Sequence, residues 1–178
     1  MTAESLTLIE PTECLREDFL AFRSEFLSIG ETHIHGIGGM KSDDFDTGLR
    51  TCRDQARGAN LPEGWAPAST LWLVRNATRI IGTIHLRHWL PPSLEHSHGH
   101  VGYGVRPSER RKGYATRMLG MTLDVARRLG LTRLLVTCDR DNIASVGVIL
   151  KNGGVFDGEV ISRNSGRLVC RYWINLSH

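Results

Sequence analysis

Hydrophobic positions along the chain change their spacing several times, and each change marks an element. Leu6 to Ile9 form a short apolar run closed by Pro11. Thr12 then stands ahead of Leu15, Phe19, Phe22 and Phe26, which recur at helical spacing up to Gly30. Residues 30–41 carry Gly30, Gly36, Gly38 and Gly39 among polar groups and predict a mobile loop rather than a regular element. Asp43 and Asp44 suit the positive end of a second helix that runs to about Ala59, with Phe45, Leu49, Cys52 and Ala56 on one face. Segments 70–75 and 79–88, rich in β-branched and aromatic residues around the turn 76–78, predict a hairpin.

Pro91 and Pro92 open a polar loop, and segment 100–105 is the next strand, stopped by Pro107. A helix beginning near 111–113 turns Ala115, Met118, Leu119, Leu123 and Ala126 inward and ends at Gly130. Segment 133–138 is a strand and 142–151 a short helix ended by Gly153 and Gly154. Segments 155–161 and 168–174 alternate around Asn164, Ser165 and Gly166 as a closing hairpin. The resulting order describes an α/β layer protein with a mixed sheet, read as a single domain over 1–178. No repeat or low-complexity segment interrupts it.

Composition narrows the partners. With 40% hydrophobic residues in 178, the chain can bury one ordinary core. Its 22 basic and 19 acidic residues are too evenly scattered for a nucleic-acid footprint, which leaves anionic small molecules as partners. Cys14, Cys52, Cys138 and Cys170 form no C-x-x-C pair for zinc or dithiol chemistry and read as reduced, mostly buried thiols. The first five residues lack a leader pattern, and no window approaches 18 uninterrupted apolar residues. The expectation is a soluble, cytoplasmic protein with no membrane partner.

The chemistry concentrates between the strand at 100–105 and the helix that follows. A basic, glycine-containing turn entering a helix exposes unpaired backbone N–H groups at the positive end of the helix dipole, a geometry that binds phosphate. Gly113 permits close approach, small Ala115 leaves room beside Tyr114, and Arg110, Arg111 and Lys112 add charge, with a hydroxyl from Thr116. Walker A and G-x-G-x-x-G patterns are both absent, which sets a nucleotide-binding domain aside.

Arg110, Gly113 and Ala115 match a signature of Arg or Gln, two residues, Gly, one residue, then Gly or Ala. Here the sequence resembles the GNAT superfamily of acyl-CoA-dependent N-acyltransferases. Segment 102–107 looks like that family's fourth strand, and Asn142, Ile143, Ala144 and Ser145 with Gly153 resemble its second cofactor-binding segment. The resemblance implies a twisted, mostly antiparallel sheet of six to seven strands flanked by about four helices, with the fourth and fifth strands splayed. It implies acetyl-CoA as acyl donor, pantetheine paired along the fourth strand, and a backbone N–H near Val105 as oxyanion donor. Gly102 and Gly104 fit a bulge there. Asn142 would contact the cofactor arm or the substrate, and Ser145 the cofactor arm.

One position departs from the family. Many relatives place a tyrosine seven residues after this asparagine as general acid, and this chain has Ile149. Ser145, Cys138 or a water are the replacements open to it. A lysine-like amine costs roughly 4–5 kcal/mol to deprotonate at pH 7, so a base helps. His100 ranks first, because it shares a strand face with His98 and stands where many relatives carry a glutamate; Glu95, Glu31 and Glu25 are alternatives. The alternating His96, His98 and His100, with His85 and His88 nearby, invite a zinc reading but lack a fourth ligand, so no metal is expected.

Glu25, Glu31 and His33 are the substrate-binding candidates, set in a locally acidic stretch able to attract a cationic amine, whereas Asp43 and Asp44 suit helix capping. Trp65, Trp72 and Trp89 read as core or loop anchors. The expected activity is acetyl transfer to a primary amine of a small molecule or peptide by direct attack in a ternary complex. The alternative is a non-catalytic acyl-CoA-binding sensor on the same fold. The oligomeric state is open, a homodimer included.

Overall fold

The computed structural model describes residues 4–177; residues 1–3 of the N-terminal segment read above for a leader lie outside it. Seven strands form one sheet: β1 (Leu6–Ile9), β2 (Ala68–Arg75), β3 (Arg79–Arg87), β4 (Val101–Val105), β5 (Arg133–Asp139), β6 (Gly154–Ile161) and β7 (Leu168–Asn175). Their spatial order is β1-β2-β3-β4-β5-β7-β6. Every neighbouring pair is antiparallel except β4 and β5, which are parallel and meet at one bridge, Val101 opposite Val136. Beyond that bridge the two strands part, as the family resemblance implies.

Five helices cover the sheet: α1 (Arg16–Ser28), α2 (Phe45–Arg57), α3 (Pro92–Glu95), α4 (Tyr114–Arg128) and α5 (Ile143–Lys151). On one face, Phe19, Phe22 and Phe26 of α1 and Phe45 and Leu49 of α2 pack on Trp72, Val74 and Ile80. On the other, Met118, Leu119, Leu123 and Ala126 of α4 and Ile149 of α5 pack on Ile81, Ile84, Leu134 and Val136. A bulge opposite Leu73 and Val74 lets Ile81 and Ile84, three residues apart, serve the same face. Burial of this kind stabilises by about 1.5–3 kcal/mol per large side chain.

Local chemistry sets the element ends. Thr12 accepts from the Cys14 amide at 3.4 Å and opens a short 3-10 turn ahead of α1. Asp44 caps α2 by accepting from the Thr47 amide at 2.8 Å, and Asn142 caps α5 by accepting from the Ser145 amide at 3.0 Å. Three sequence expectations change. The polar loop after Pro91 contains the four-residue helix α3, too short to show a period. Loop 30–41 is pinned rather than free, with a 3-10 turn at Gly38–Lys41 and the Gly36 carbonyl accepting from Thr83 Oγ1 at 2.8 Å. Trp72 is a core residue, whereas Trp65 and Trp89 stand exposed.

Candidate active site

The parting of β4 from β5 creates the site. Along β4 the Arg106 amide donates to Ile81 O at 2.8 Å, toward β3. One residue back, the alternation of a strand turns the Val105 amide the other way, into the gap. Gly102 and Gly104 do not form the expected bulge, because β4 runs in unbroken register with β3 from Val105 opposite Gly82 to Val101 opposite Leu86. The glycines make room instead for loop 33–38, which lies across the strand: a Cβ on Gly104 would stand 2.8 Å from the His35 carbonyl oxygen. Gly36 fits the same contact from the other side, since its own Cβ would meet Gly102 O at 2.5 Å.

The turn leaving β4 is held from beneath by an arginine that sequence reasoning missed. Arg106 is 1% exposed; its Nη1 donates to both Asp18 carboxylate oxygens at 3.1 and 3.0 Å and to Ile80 O at 2.9 Å, and its Nε donates to Glu25 at 2.7 Å. Glu25 also accepts from the Ser108 hydroxyl at 2.7 Å. Burial works to raise the Glu25 pKa, but the Ser108 and Arg106 bonds outweigh it and hold the carboxyl below its ordinary value. Glu25, expected at the substrate, is thus a clamp between α1 and the turn.

Above this clamp the backbone is shaped for an anion. Arg111 adopts φ 63° and Gly113 φ 81°, both left-handed, and no side chain caps α4. Among the described residues, the amides of 111–116 donate to no acceptor; the first bonded amide is that of Arg117, to Gly113 O at 3.1 Å. Such a row of free N–H groups at a helix start is an oxyanion and phosphate cradle.

The cationic side chains contribute less than their number suggests. Arg110 makes two 2.7 Å bonds to Glu31 and a third, at 3.1 Å, to Val105 O; those bonds hold the Glu31 carboxyl below its ordinary pKa. Lys112 is bonded to Glu109 at 2.9 Å. Tyr114 is buried, its hydroxyl on Glu4 and Arg75, so its part in the cradle is its amide. Arg111 stands exposed without an ion pair among the described residues, and Ala115 and Thr116 line the first turn half-buried.

The far wall of the gap is α5. With Asn142 Oδ1 bonded to the Ser145 amide, its Nδ2 is left to reach outward. Tyr103, on the same face of β4 as Val105, spans the gap and donates from its hydroxyl to Ser145 Oγ at 3.1 Å. Burial pushes the Tyr103 pKa up to about 12, so this hydroxyl keeps its proton at physiological pH. Ile149 is fully buried in the core. The departure from the family's tyrosine is therefore an aliphatic core residue there, with a hydroxyl pair one helical turn away.

Loop 30–41 supplies the opposite wall. His33 and His35 stand edge to face, ring centroids 4.6 Å apart. Desolvation and then the His33 charge push the His35 pKa down, against the pull of Asp139 at the end of β5 and of Glu31. His100 is placed differently. It is 5% exposed, its amide donates to Leu135 O at 2.8 Å, and its Nδ1 accepts from the Leu135 amide at 2.9 Å. Burial drives its pKa down to about 4. With Nδ1 occupied and the proton on Nε2, the ring has no free lone pair, and it acts as a strap between β4 and β5 rather than as the expected base.

Among the described residues, no group of three or more His, Cys, Asp or Glu side chains is disposed to hold a metal ion, and no helix is long and apolar enough to cross a membrane. No curated protein sequence matches the chain. Solved structures do share its fold. The microcin C7 self-immunity acetyltransferase, determined with acetyl-CoA and AMP, superposes with a TM-score of 0.69 at 16% identity over 96% of this chain and 92% of that one. A variant of the spermidine N-acetyltransferase of Vibrio cholerae gives 0.66 at 16% identity over 97% and 94%. An N-acetyltransferase from Staphylococcus aureus gives 0.65 at 15% identity over 97% and 99%. Residues 15–155, which carry the clamp, the cradle and both walls of the gap, match the acetyltransferase (GNAT) domain family, and the chain belongs to that family.

Proposed function

We propose that the protein is an N-acetyltransferase that binds acetyl-CoA by its pyrophosphate on the turn 110–116 and passes the acetyl group directly to a primary amine in a ternary complex. The observation that carries this reading is the row of unbonded amides from 111 to 116 at the end of a strand that has parted from its parallel neighbour. Arg111 adds the free charge, and Thr116 and Asn142 Nδ2 are the side-chain donors at either wall. When bound, acetyl-CoA supplies a thioester whose carbonyl carbon takes the amine. The Val105 amide donates to its oxygen as negative charge develops there.

His35 is the base this geometry favours. Its backbone packs on Gly104 beside Val105, and its lowered pKa keeps the ring neutral at pH 7. Asp139, across the gap, stabilises the imidazolium once the amine proton arrives. Ser145, accepting from Tyr103, keeps its own proton to give to the departing thiolate. The acceptor is a cationic amine of a small molecule or peptide. The similarity in fold to a spermidine acetyltransferase supports this class.

Calorimetry with acetyl-CoA tests the cradle. Gly113→Glu puts a Cβ at a left-handed position and a carboxylate among the free amides, and is expected to weaken binding by at least about tenfold. Unchanged binding removes the assignment. Thiol release across polyamines, amino acids, aminoglycosides and peptides tests the transfer, with His35→Ala expected to lower kcat/KM by about a hundredfold at unchanged acetyl-CoA affinity. Tight acetyl-CoA binding with no CoA released over the panel would identify a non-catalytic sensor instead.

A further inference from the structure

On the α1 and α2 face, away from the gap, a cavity of about 190 Å³ lies between the C-terminal end of α2, segment 61–68, the end of β3 and α3. Leu61, Leu94 and Trp65 give it apolar walls, and Trp65, 60% exposed, presents its ring at the surface. Two polar groups inside it lack what groups of their kind have elsewhere in the fold. Arg87 is half-buried, and its one hydrogen bond through the side chain runs from Nη1 to Gly99 O at 2.9 Å, with no carboxylate within ion-pair distance among the described residues. Arg106 and Arg75, also withdrawn from solvent, both carry carboxylate partners. Gln55 Oε1 is buried without a hydrogen-bond donor.

A half-buried guanidinium without an anion and a buried carbonyl without a donor are complementary to one kind of ligand. We propose that this cavity binds a small, flat carboxylic acid bearing an N–H group, with its carboxylate on Arg87, its N–H on Gln55 Oε1 and its ring against Trp65. The uncompensated charge is felt by neighbours. After burial, the Arg87 cation is the largest influence pushing the pKa of His85, another residue of the cavity, down to about 4, and it also lowers His98.

The cavity is separate from the acyl-transfer site. The Arg87 amide bonds to His100 O, placing it roughly 16 Å along β4 from Val105 at about 3.3 Å per residue. Gly36 and Gly38 lie between the two, packed on Gly102 and against Thr70 and His85. Occupation of the cavity would reach that loop through His85, whose Nδ1 is 3.2 Å from Thr70 Oγ1.

Calorimetric titration of the full chain with indole-3-acetate tests the proposal and does not depend on the transfer reading. Saturable one-to-one binding is expected. Indole-3-acetamide, which lacks the charge, and the Arg87→Gln variant should each bind at least about tenfold more weakly or cost that much affinity, and 1-methylindole-3-acetate and Trp65→Ala about threefold or more. Equal affinity for the acid and its amide, or no saturable heat at millimolar ligand, overturns it. Should Arg87→Gln fail to fold, the comparison of acid with amide on the unaltered protein decides.

Discussion

Replacing His100 by asparagine separates a strap from a base. Asn Oδ1 can stand where Nδ1 accepts from the Leu135 amide, so the bond across β4 and β5 survives while the titrating ring is removed. In the folded protein His100 takes a proton only at about pH 4, because burial opposes the charge; unfolded, it does so near 6.5. Between those values the unfolded chain binds a proton that the folded chain refuses, so the contribution is present above 6.5 and is lost as the pH falls toward 4. At about 1.4 kcal/mol per unit, the loss between pH 7 and pH 4.5 comes to about 2.5 kcal/mol.

Urea unfolding followed by tryptophan fluorescence, at both pH values and for both proteins, measures it. The variant should lose less stability than the parent over this interval, by about that amount. His85, also near 4, titrates alike in both and cancels. Parallel losses would refute the burial argument. The acid limb of kcat/KM should be retained in His100→Asn and lie below pH 6.5, where neutral His35 accounts for it; its disappearance would restore His100 as the base.

Arg106→Met removes the buried guanidinium that joins Asp18 to Glu25, leaving Asp18 the Ile80 amide and Glu25 Ser108 and Arg79, and should cost about 1–3 kcal/mol of stability, read as a lowered urea midpoint. Gly104→Ala drives a methyl into the His35 carbonyl, and is expected to cost about 1–3 kcal/mol and to reduce turnover more than acetyl-CoA affinity, measured by calorimetry beside steady-state kinetics. Ser145→Ala and Tyr103→Phe should each lower kcat by about tenfold, with no alkaline limb below about pH 10 in the parent enzyme, since Tyr103 holds its proton to about 12.

The strands and longer helices were legible because each is written in neighbouring residues: the period of α4, the turn chemistry at 76–78, the cap at Asp44. The cradle was legible for the same reason, as a local run of glycine and charge. What the charges do was not. Arg106 meets Asp18 across 88 positions and Arg110 meets Glu31 across 79, so each partner reads alone as a solvated group. Glu25 and Glu31 therefore read in sequence as acids open to a cationic substrate. His33 and His35 are equivalent in sequence, and only the packing of loop 33–38 on Gly104 distinguishes them.

The single bridge between β4 and β5 divides the sheet into a half of four strands and a half of three, joined by a narrow backbone seam and by the helices that pack across it. Amide exchange should therefore resolve two cooperative units that open with different free energies, and the amides beside the seam should exchange fastest among the strands. An acyl donor laid along β4 adds the missing hydrogen bonds of the seam. Protection would then rise in both halves together, and the donor would act as a mechanical stitch through the middle of the protein as well as a reactant.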